Sequence, residues 1–337
     1  MGTRFGRSKP HTICYNKPMR LPDYAPRPAQ LKWLLDSDPA IRWQVMRDLT
    51  DETPDAIAAE QSRVASEGWG AQLLALQSRA GKWGGPREDR GLLVTLYTLV
   101  VLKDFGLDPA SKQARKMIER VDKWLAFKSL NNRPFLHGET EPCINGRILA
   151  IGSYFNKPNP ALANQLLREQ LEDGGWNCEA VEPSPKRPKS RRSSFHTTIC
   201  VLEGLLEYER SRRKSPAVTK ARKRAENYLL ERRLFRSLRT GEVIDERWLR
   251  FSFPTFWHYD VLRGLDYLRN AAIKPDSRVR EAVENVIARR HQNGSWPLNL
   301  LHREHIPLEM ETVVGVASRW NTLRALRVLR WYNNAMG

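Results

Sequence analysis

Apolar residues recur at three- and four-residue spacing through five segments: LLVTLYTLVVLKDFGLD (92–108), INGRILAIGSYF (144–155), TICVLEGLLEYER (198–210), YDVLRGLDYLR (259–269) and WNTLRALRVLRWY (320–332). That period predicts helices, and their largely apolar circumference predicts burial on both sides. Between them lie QARKMIERVDKWLAF (113–127), ALANQLLREQL (161–171), VTKARKRAENYLLER (218–232) and SRVREAVENVIARR (277–290), each with a one-sided apolar stripe. These predict helices with a wet face. Apolar-inner, polar-outer alternation implies two concentric helical layers. AQLKWLL (29–35) and PAIRWQVMRDL (39–49) add a helical lead-in. No period-2 alternation is sustained, and no Asn-Gly or Asp-Gly turn joins two β-branched runs, so the expected class is all-α.

The joints repeat as well. GKWGG (81–85), EDGGWNCE (172–179) and QNGSWPL (292–298) each pair glycine with tryptophan after a polar helix and before an apolar one. Trp83, Trp176 and Trp296 are 93 and 120 residues apart, a spacing that fits two helical hairpins per interval. Glycine is expected to end the outer helix in a left-handed conformation, with tryptophan plugging the gap between hairpins. The joints before Cys143 and Trp257 lack the motif. Residues 1–27 read as a flexible, basic, proline-containing lead, and 28–337 as a single domain.

The chain has 56 Lys and Arg against 38 Asp and Glu, a formal charge of +18. The basic runs PKRPKSRR (185–192), ERSRRKS (209–215) and KARKRAE (220–226) read as solvated loop and outer-helix positions. No nucleic-acid recognition signature accompanies them, which weighs against a nucleic-acid partner. No apolar run is long enough to span a membrane, LLVTLYTLVVL (92–102) being far too short. With no signal-peptide core, a cytoplasmic location is expected. Four cysteines (Cys14, Cys143, Cys178, Cys200) are too sparse for a disulfide scaffold, which leaves buried thiols, catalytic thiols or metal ligands.

Outer helix, Gly-Gly-Trp joint and apolar inner helix resemble the α/α-toroid superfamily of squalene/oxidosqualene cyclases and protein prenyltransferase β subunits, over residues 55 to 335. The resemblance implies a barrel of inner helices ringed by outer ones, with a small-molecule or isoprenoid-like substrate in the central cavity. The Asp-rich motif of the cyclases is absent, its nearest match being DSDP (36–39), and so is an aspartate pair for magnesium and diphosphate. Squalene-type cyclisation is therefore not expected. The prenyltransferase zinc site resembles Glu141-Pro142-Cys143 with His196 opening the next inner helix 53 residues on, within HTTICVLEGL (196–205). Glu141 stands where that family has aspartate. The basic residues expected to hold diphosphate are present only as Arg133 and His137, out of register. The β subunits of that family work with a separate α subunit, so a second subunit is an implied partner.

The resemblance thus implies one Zn2+ per chain, and thiolate, imidazole and carboxylate are the donors zinc prefers. Cys178 lies 18 residues before His196, and His258 opens another inner helix. Cys143, Cys178, His196 and His258 could form a closed site; any three of them, with or without Glu141, would leave a position for substrate. Separate buried thiols and a capping histidine are the alternative. Cys200 reads as core and Cys14 as incidental. Asp260 is a candidate base or histidine-orienting group, unless it simply pairs with an arginine such as Arg263. Trp257, Tyr259, Arg319 and Asn321 are candidate substrate-binding residues at the same mouth, with Glu309 and Glu311 in a lid loop. Three functions remain open: a zinc-dependent enzyme activating a thiol or water, a binding module with a structural zinc, and a metal-free scaffold for acidic partners.

Overall fold

The structure is a computed structural model that describes residues 25–84, 91–181, 190–211 and 215–335. The lead up to residue 24 with Cys14, most of the basic run 185–192, and part of the run 209–215 lie outside the described residues. The helices are α1 (Pro28–Leu35), α2 (Pro39–Leu49), α3 (Pro54–Ser62), α4 (Gly68–Ala75), α5 (Gly91–Asp104), α6 (Lys112–Trp124) and α7 (Pro142–Tyr154). They continue as α8 (Pro160–Arg168), the single turn α9 (Cys178–Val181), α10 (Phe195–Ser211), α11 (Pro216–Glu231), α12 (Val261–Asn270), α13 (Arg280–Ala288) and α14 (Arg319–Asn334). Beyond one isolated antiparallel bridge, Arg236 with Val243, sheet is confined, among the described residues, to two antiparallel pairs of two-residue strands: Ala126–Phe127 with Arg133–Pro134, and Trp296–Pro297 with Ala317–Ser318. No helix among them is long and apolar enough to cross a membrane.

Helix starts follow local chemistry. Proline occupies the first turn of α1, α2, α3, α7, α8 and α11, where its missing N–H costs nothing. Side chains of Asp38, Thr53, Ser111, Asn159, Asp260 and Ser318 cap α2, α3, α6, α8, α12 and α14.

The helices form an α/α toroid. The inner ring runs α5, α7, α10, α12, α14, each packed on the next, and α14 packs on α2. Helix α2 completes the ring at the end of α5, where Trp43 Nε1 donates to Phe105 O (2.7 Å) and Gln44 Nε2 to Asp104 O (3.0 Å). Helices α8, α11 and α13 lie outside α7, α10 and α12. The two chain ends are tied together by arginines of α14: Arg327 Nη1 donates to Gln44 Oε1 (3.0 Å) and Arg330 Nη1 to Asp48 O (2.7 Å).

The three glycine–tryptophan joints are geometrically the same. Gly81, Gly174 and Gly294 have φ of 82°, 100° and 90°, a region glycine enters freely. Trp83, Trp176 and Trp296 are fully buried, and each indole N–H donates to the carbonyl ten residues earlier, on the outer helix: Leu73 (2.6 Å), Leu166 (2.7 Å) and Val286 (2.6 Å). Each tryptophan's own backbone N–H donates to an inner-helix threonine hydroxyl: Thr95 (3.1 Å), Thr198 (3.0 Å) and Thr322 (2.9 Å). The tryptophan is therefore a clasp between the two layers as well as a filler.

Two features of the inner ring were not expected. Helices α7 and α10 approach closely: a Cβ on Gly146 would lie 2.5 Å from Cys200 O, and one on Gly204 would lie 2.2 Å from Gly146 O. The inner helices are also not apolar all round, because Arg147, Arg263 and Arg324 are buried and, with Asp266 and Arg327, line the central cavity. Asp266 accepts from Arg327 Nη2 (2.6 Å) and Arg269 Nε (2.9 Å). On the outside, Arg222 of the run 220–226 is not simply solvated but pairs with Glu209 (2.7 Å) and Glu226 (2.8 Å).

Two outcomes follow for stability. Trp176→Phe removes the indole donor and leaves Leu166 O buried without it, so equilibrium urea unfolding should show a loss of about 1–3 kcal/mol. Burial alone would raise the Asp266 carboxyl, but Arg327 and Arg269 outweigh it and hold the group well below the usual carboxylate range. A depressed carboxylate contributes stability above its unfolded value, and that stability is lost as pH falls through the folded one. Asp266→Asn should therefore cost about 3–5 kcal/mol at pH 7, as expected for stranding a buried ion-pair partner. The gap from wild type should narrow below about pH 4, near the unfolded aspartate value, as urea midpoints at the two pH values will show.

Candidate functional site

The expected metal ligands gather where the inner helices begin, and they fall into two sets. Glu141 precedes α7, Cys143 is in its first turn, and Cys178 opens α9 at the end of the Trp176 joint. The donor atoms of Glu141, Cys143 and Cys178 lie within 4.8 Å of one another. Cys143 Sγ is 3.5 Å from Glu141 Oε2, and Cys178 Sγ is 3.4 Å from Thr197 Oγ1 on α10. Close packing of α7 on α10 through Gly146 and Gly204 is what brings these turns together.

The two thiols are unequal. Cys143 is held well above the usual thiol range because it donates to Cys178 and is buried. Cys178 is lowered because it accepts that hydrogen bond, against the effect of its own burial. Cys143 thus lies between the Cys178 sulfur and the Glu141 carboxylate. Two thiols and a carboxylate form a donor set that suits zinc, and no fourth donor among the described residues joins it.

The second set was only partly legible. His258 joins His302 and Glu304, whose donor atoms also lie within 4.8 Å of one another. His258 Nε2 is 3.0 Å from Glu304 Oε2, and the His258 and His302 rings stack 3.6 Å apart, 3° from parallel. Glu304 Oε1 accepts from Trp257 Nε1 (2.5 Å), and His302 Nε2 lies 2.9 Å from Ser252 Oγ. A pocket of about 390 Å³ is lined by these residues together with His196, Tyr259 and Asp260.

His196 belongs to neither set of donors. It is the second residue of α10, and its Nδ1 accepts from the Tyr259 backbone N–H (2.8 Å), so Nε2 is the nitrogen left for a ligand or a proton. Burial, then His258, pushes His196 down to about 4; burial, then His258, does the same for His302. For His258, burial outweighs the opposing Glu304. The pocket thus holds three imidazoles that are neutral at pH 7.

The other expected residues divide between pocket and scaffold. Trp257 lines the pocket; the Tyr259 hydroxyl is committed to Leu234 O (2.8 Å). Asp260 is buried, caps α12 through the Arg263 N–H (2.7 Å), and is raised by that burial despite Arg324 and Arg263. Arg263 itself pairs with Glu203 (2.6 Å) and reaches Cys200 Sγ (3.7 Å), which is buried. Asn321 is buried, with Nδ2 on Pro297 O (3.0 Å). Arg319 Nε donates to Trp33 O (3.2 Å) and its guanidinium covers the Trp33 ring, so it ties α14 to α1. Neither residue lines the pocket or the central cavity. Arg133 and His137 are exposed and line a separate outer groove with Asp122 and Lys157. Glu311 is not a solvated lid residue: its carboxylate accepts from Ser318 Oγ and the Arg319 N–H at the start of α14.

Sequence reasoning missed His302 and Glu304. They sit in an irregular loop just past the Trp296 joint, and the short run HREH (302–305) was their one signal.

No family model and no curated protein matches the chain. Among solved structures it is similar to a protein from Actinoplanes at 16% identity and a TM-score of 0.41, covering 89% of this chain and 90% of that one. It is similar to the apo type II terpene cyclase MstE from Scytonema at 13% identity and a TM-score of 0.43, covering 88% and 86%. A variant of that cyclase in complex with geranylgeranyl dihydroxybenzoate, its substrate, gives 13% and 0.40 over 88% and 87%. The toroid is read from this chain's own helix packing.

Proposed function

We propose that the chain is a zinc-containing enzyme acting on a substrate held within the barrel. The observation that carries this reading is the convergence of Glu141, Cys143 and Cys178 at the start of α7 and α9, with three donors rather than four. A closed structural site needs a fourth protein ligand, so the set favours an exchangeable position over a binding module with a structural zinc. Zinc held there would supply Lewis acidity that lowers the pKa of a thiol or water.

The remaining roles fall to the chain's own side chains. Cys178, as the more acidic thiol, gives up its proton first, and Glu141 orients the Cys143 sulfur. His196 is neutral at pH 7 with Nδ1 fixed by Tyr259, so its Nε2 can accept the proton of a substrate thiol or water. Trp257, anchored by Glu304, walls the pocket beside it. Asp260 acts through position, setting the start of α12 and with it the backbone that fixes His196.

Metal analysis of the purified protein should give about one zinc per chain, falling at least tenfold in Cys143→Ala and Cys178→Ala and unchanged in His302→Ala. Cobalt substitution should give a spectrum that shifts on adding a small thiol. Metal-free wild type, or loss of zinc in His302→Ala but not in Cys143→Ala, would sink this assignment.

A further inference from the structure

Arg147 is 3% exposed, and its Nε and Nη2 are buried with no hydrogen-bond partner. It lines the central cavity, whose volume is about 230 Å³. Four carboxylates share that lining, and each already faces another cation: Glu203 with Arg263, Asp266 with Arg327, Asp104 with Lys103, and Glu207 with Arg210. None of them makes a direct ion pair with Arg147, although Glu203 is near enough to be lowered by its charge.

A guanidinium cannot shed its charge by losing a proton. Buried with two of its donors unmet it is costly to keep, and an acceptor from outside the chain would satisfy them. Its planar fork of donors matches the paired oxygens of a carboxylate or phosphate. The surroundings favour the same kind of ligand, because Arg263 and Arg324 line the cavity too and direct donors to the backbone carbonyls of His258 (2.6 Å) and Ser252 (2.9 Å). Position also favours a role beside the chemistry: Arg147 is one helical turn, about 6 Å, deeper along α7 than Cys143.

We propose that Arg147 anchors a binding site for a small oxyanion, the phosphate or carboxylate group of a ligand that enters the central cavity. The site stands whether or not the cysteine set holds zinc.

The test is isothermal titration of the full-length protein with inorganic phosphate and, separately, succinate, at constant ionic strength in chloride. The expected result is saturable binding of at least one anion, with Kd raised at least tenfold in Arg147→Met. Arg147→Lys keeps the charge without the planar fork and should weaken binding by a smaller factor; if Arg147→Met fails to fold, Arg147→Lys decides alone. Binding of phosphate only assigns a phosphate-bearing ligand, and of succinate only a carboxylate. The proposal is overturned if neither anion binds beyond the chloride control, or if the Arg147 variants bind as wild type does. Cys143→Ala separates this site from the metal reading: unchanged affinity there supports Arg147. Binding lost in Cys143→Ala but kept in Arg147→Lys would put the anion at the cysteines and overturn the proposal.

Discussion

The toroid depends on one bond made three times: a buried indole N–H given to a carbonyl near the end of the preceding outer helix. Because the same tryptophan's backbone is held by a threonine of the next inner helix, each joint fixes where the outer helix ends and where the inner one begins. Left-handed glycine two residues earlier makes the reversal tight enough for both bonds. Leaving a buried acceptor unsatisfied is expensive, so the register cannot slide by a residue without losing the clasp.

Fixed inner-helix starts are what a site at the barrel mouth requires. Cys178 follows the Trp176 clasp by two residues, and Thr198, which holds that tryptophan, lies two residues after His196. The two joints without the glycine–tryptophan clasp are free to be long and irregular, and they deliver Glu141 with Cys143 and Trp257 with His258. Scaffold and chemistry are thus separated by joint type, with Cys178 and His196 at the crossing. Gly146 and Gly204 let α7 and α10 touch through their backbones, and side chains 35 residues apart in sequence, Cys143 and Cys178, come within 4.8 Å of each other.

What the sequence made legible was whatever repeats or has a period. Helical layers followed from 3.6-residue spacing, and the three joints followed from Gly and Trp recurring together. Cys143 was found through the resemblance of Glu141-Pro142-Cys143 to a zinc site, and Cys178 by its place at a joint 18 residues before His196. Long-range pairing has no such signature, so His196 and His258 were grouped with the cysteines, while the fold holds His196 by the Tyr259 backbone and gives His258 to Glu304. Arg319 and Asn321 looked like ligand contacts because both begin an inner helix. Their hydrogen bonds go instead to Trp33, which closes the ring onto α1, and to Pro297, which holds α14 to the Trp296 joint. Arg133 and His137 lie between α6 and α7 in a stretch of short strands and single 3-10 turns, too brief for any period to say which way they face.

The basic charge is where composition misled most. The basic runs were placed on the wet surface, since arginine is rarely buried. In the toroid, however, the lumen is a second surface, and α12 and α14 turn Arg263, Arg324 and Arg327 toward it. A hydrocarbon-lined lumen would need none of these, and each had to be matched: Arg263 by Glu203, Arg327 by Asp266, Arg324 by the carbonyl of Ser252. Matching that careful stops at Arg147. A cavity lined by several bonded arginines, with Arg147 keeping two buried donors unmet, is poorly suited to an isoprenoid chain along its whole length. It suits a ligand that brings its own charge inward, with any apolar part held by the aromatic rings, Phe253 stacked on Trp320 at 4.1 Å, that share the lining.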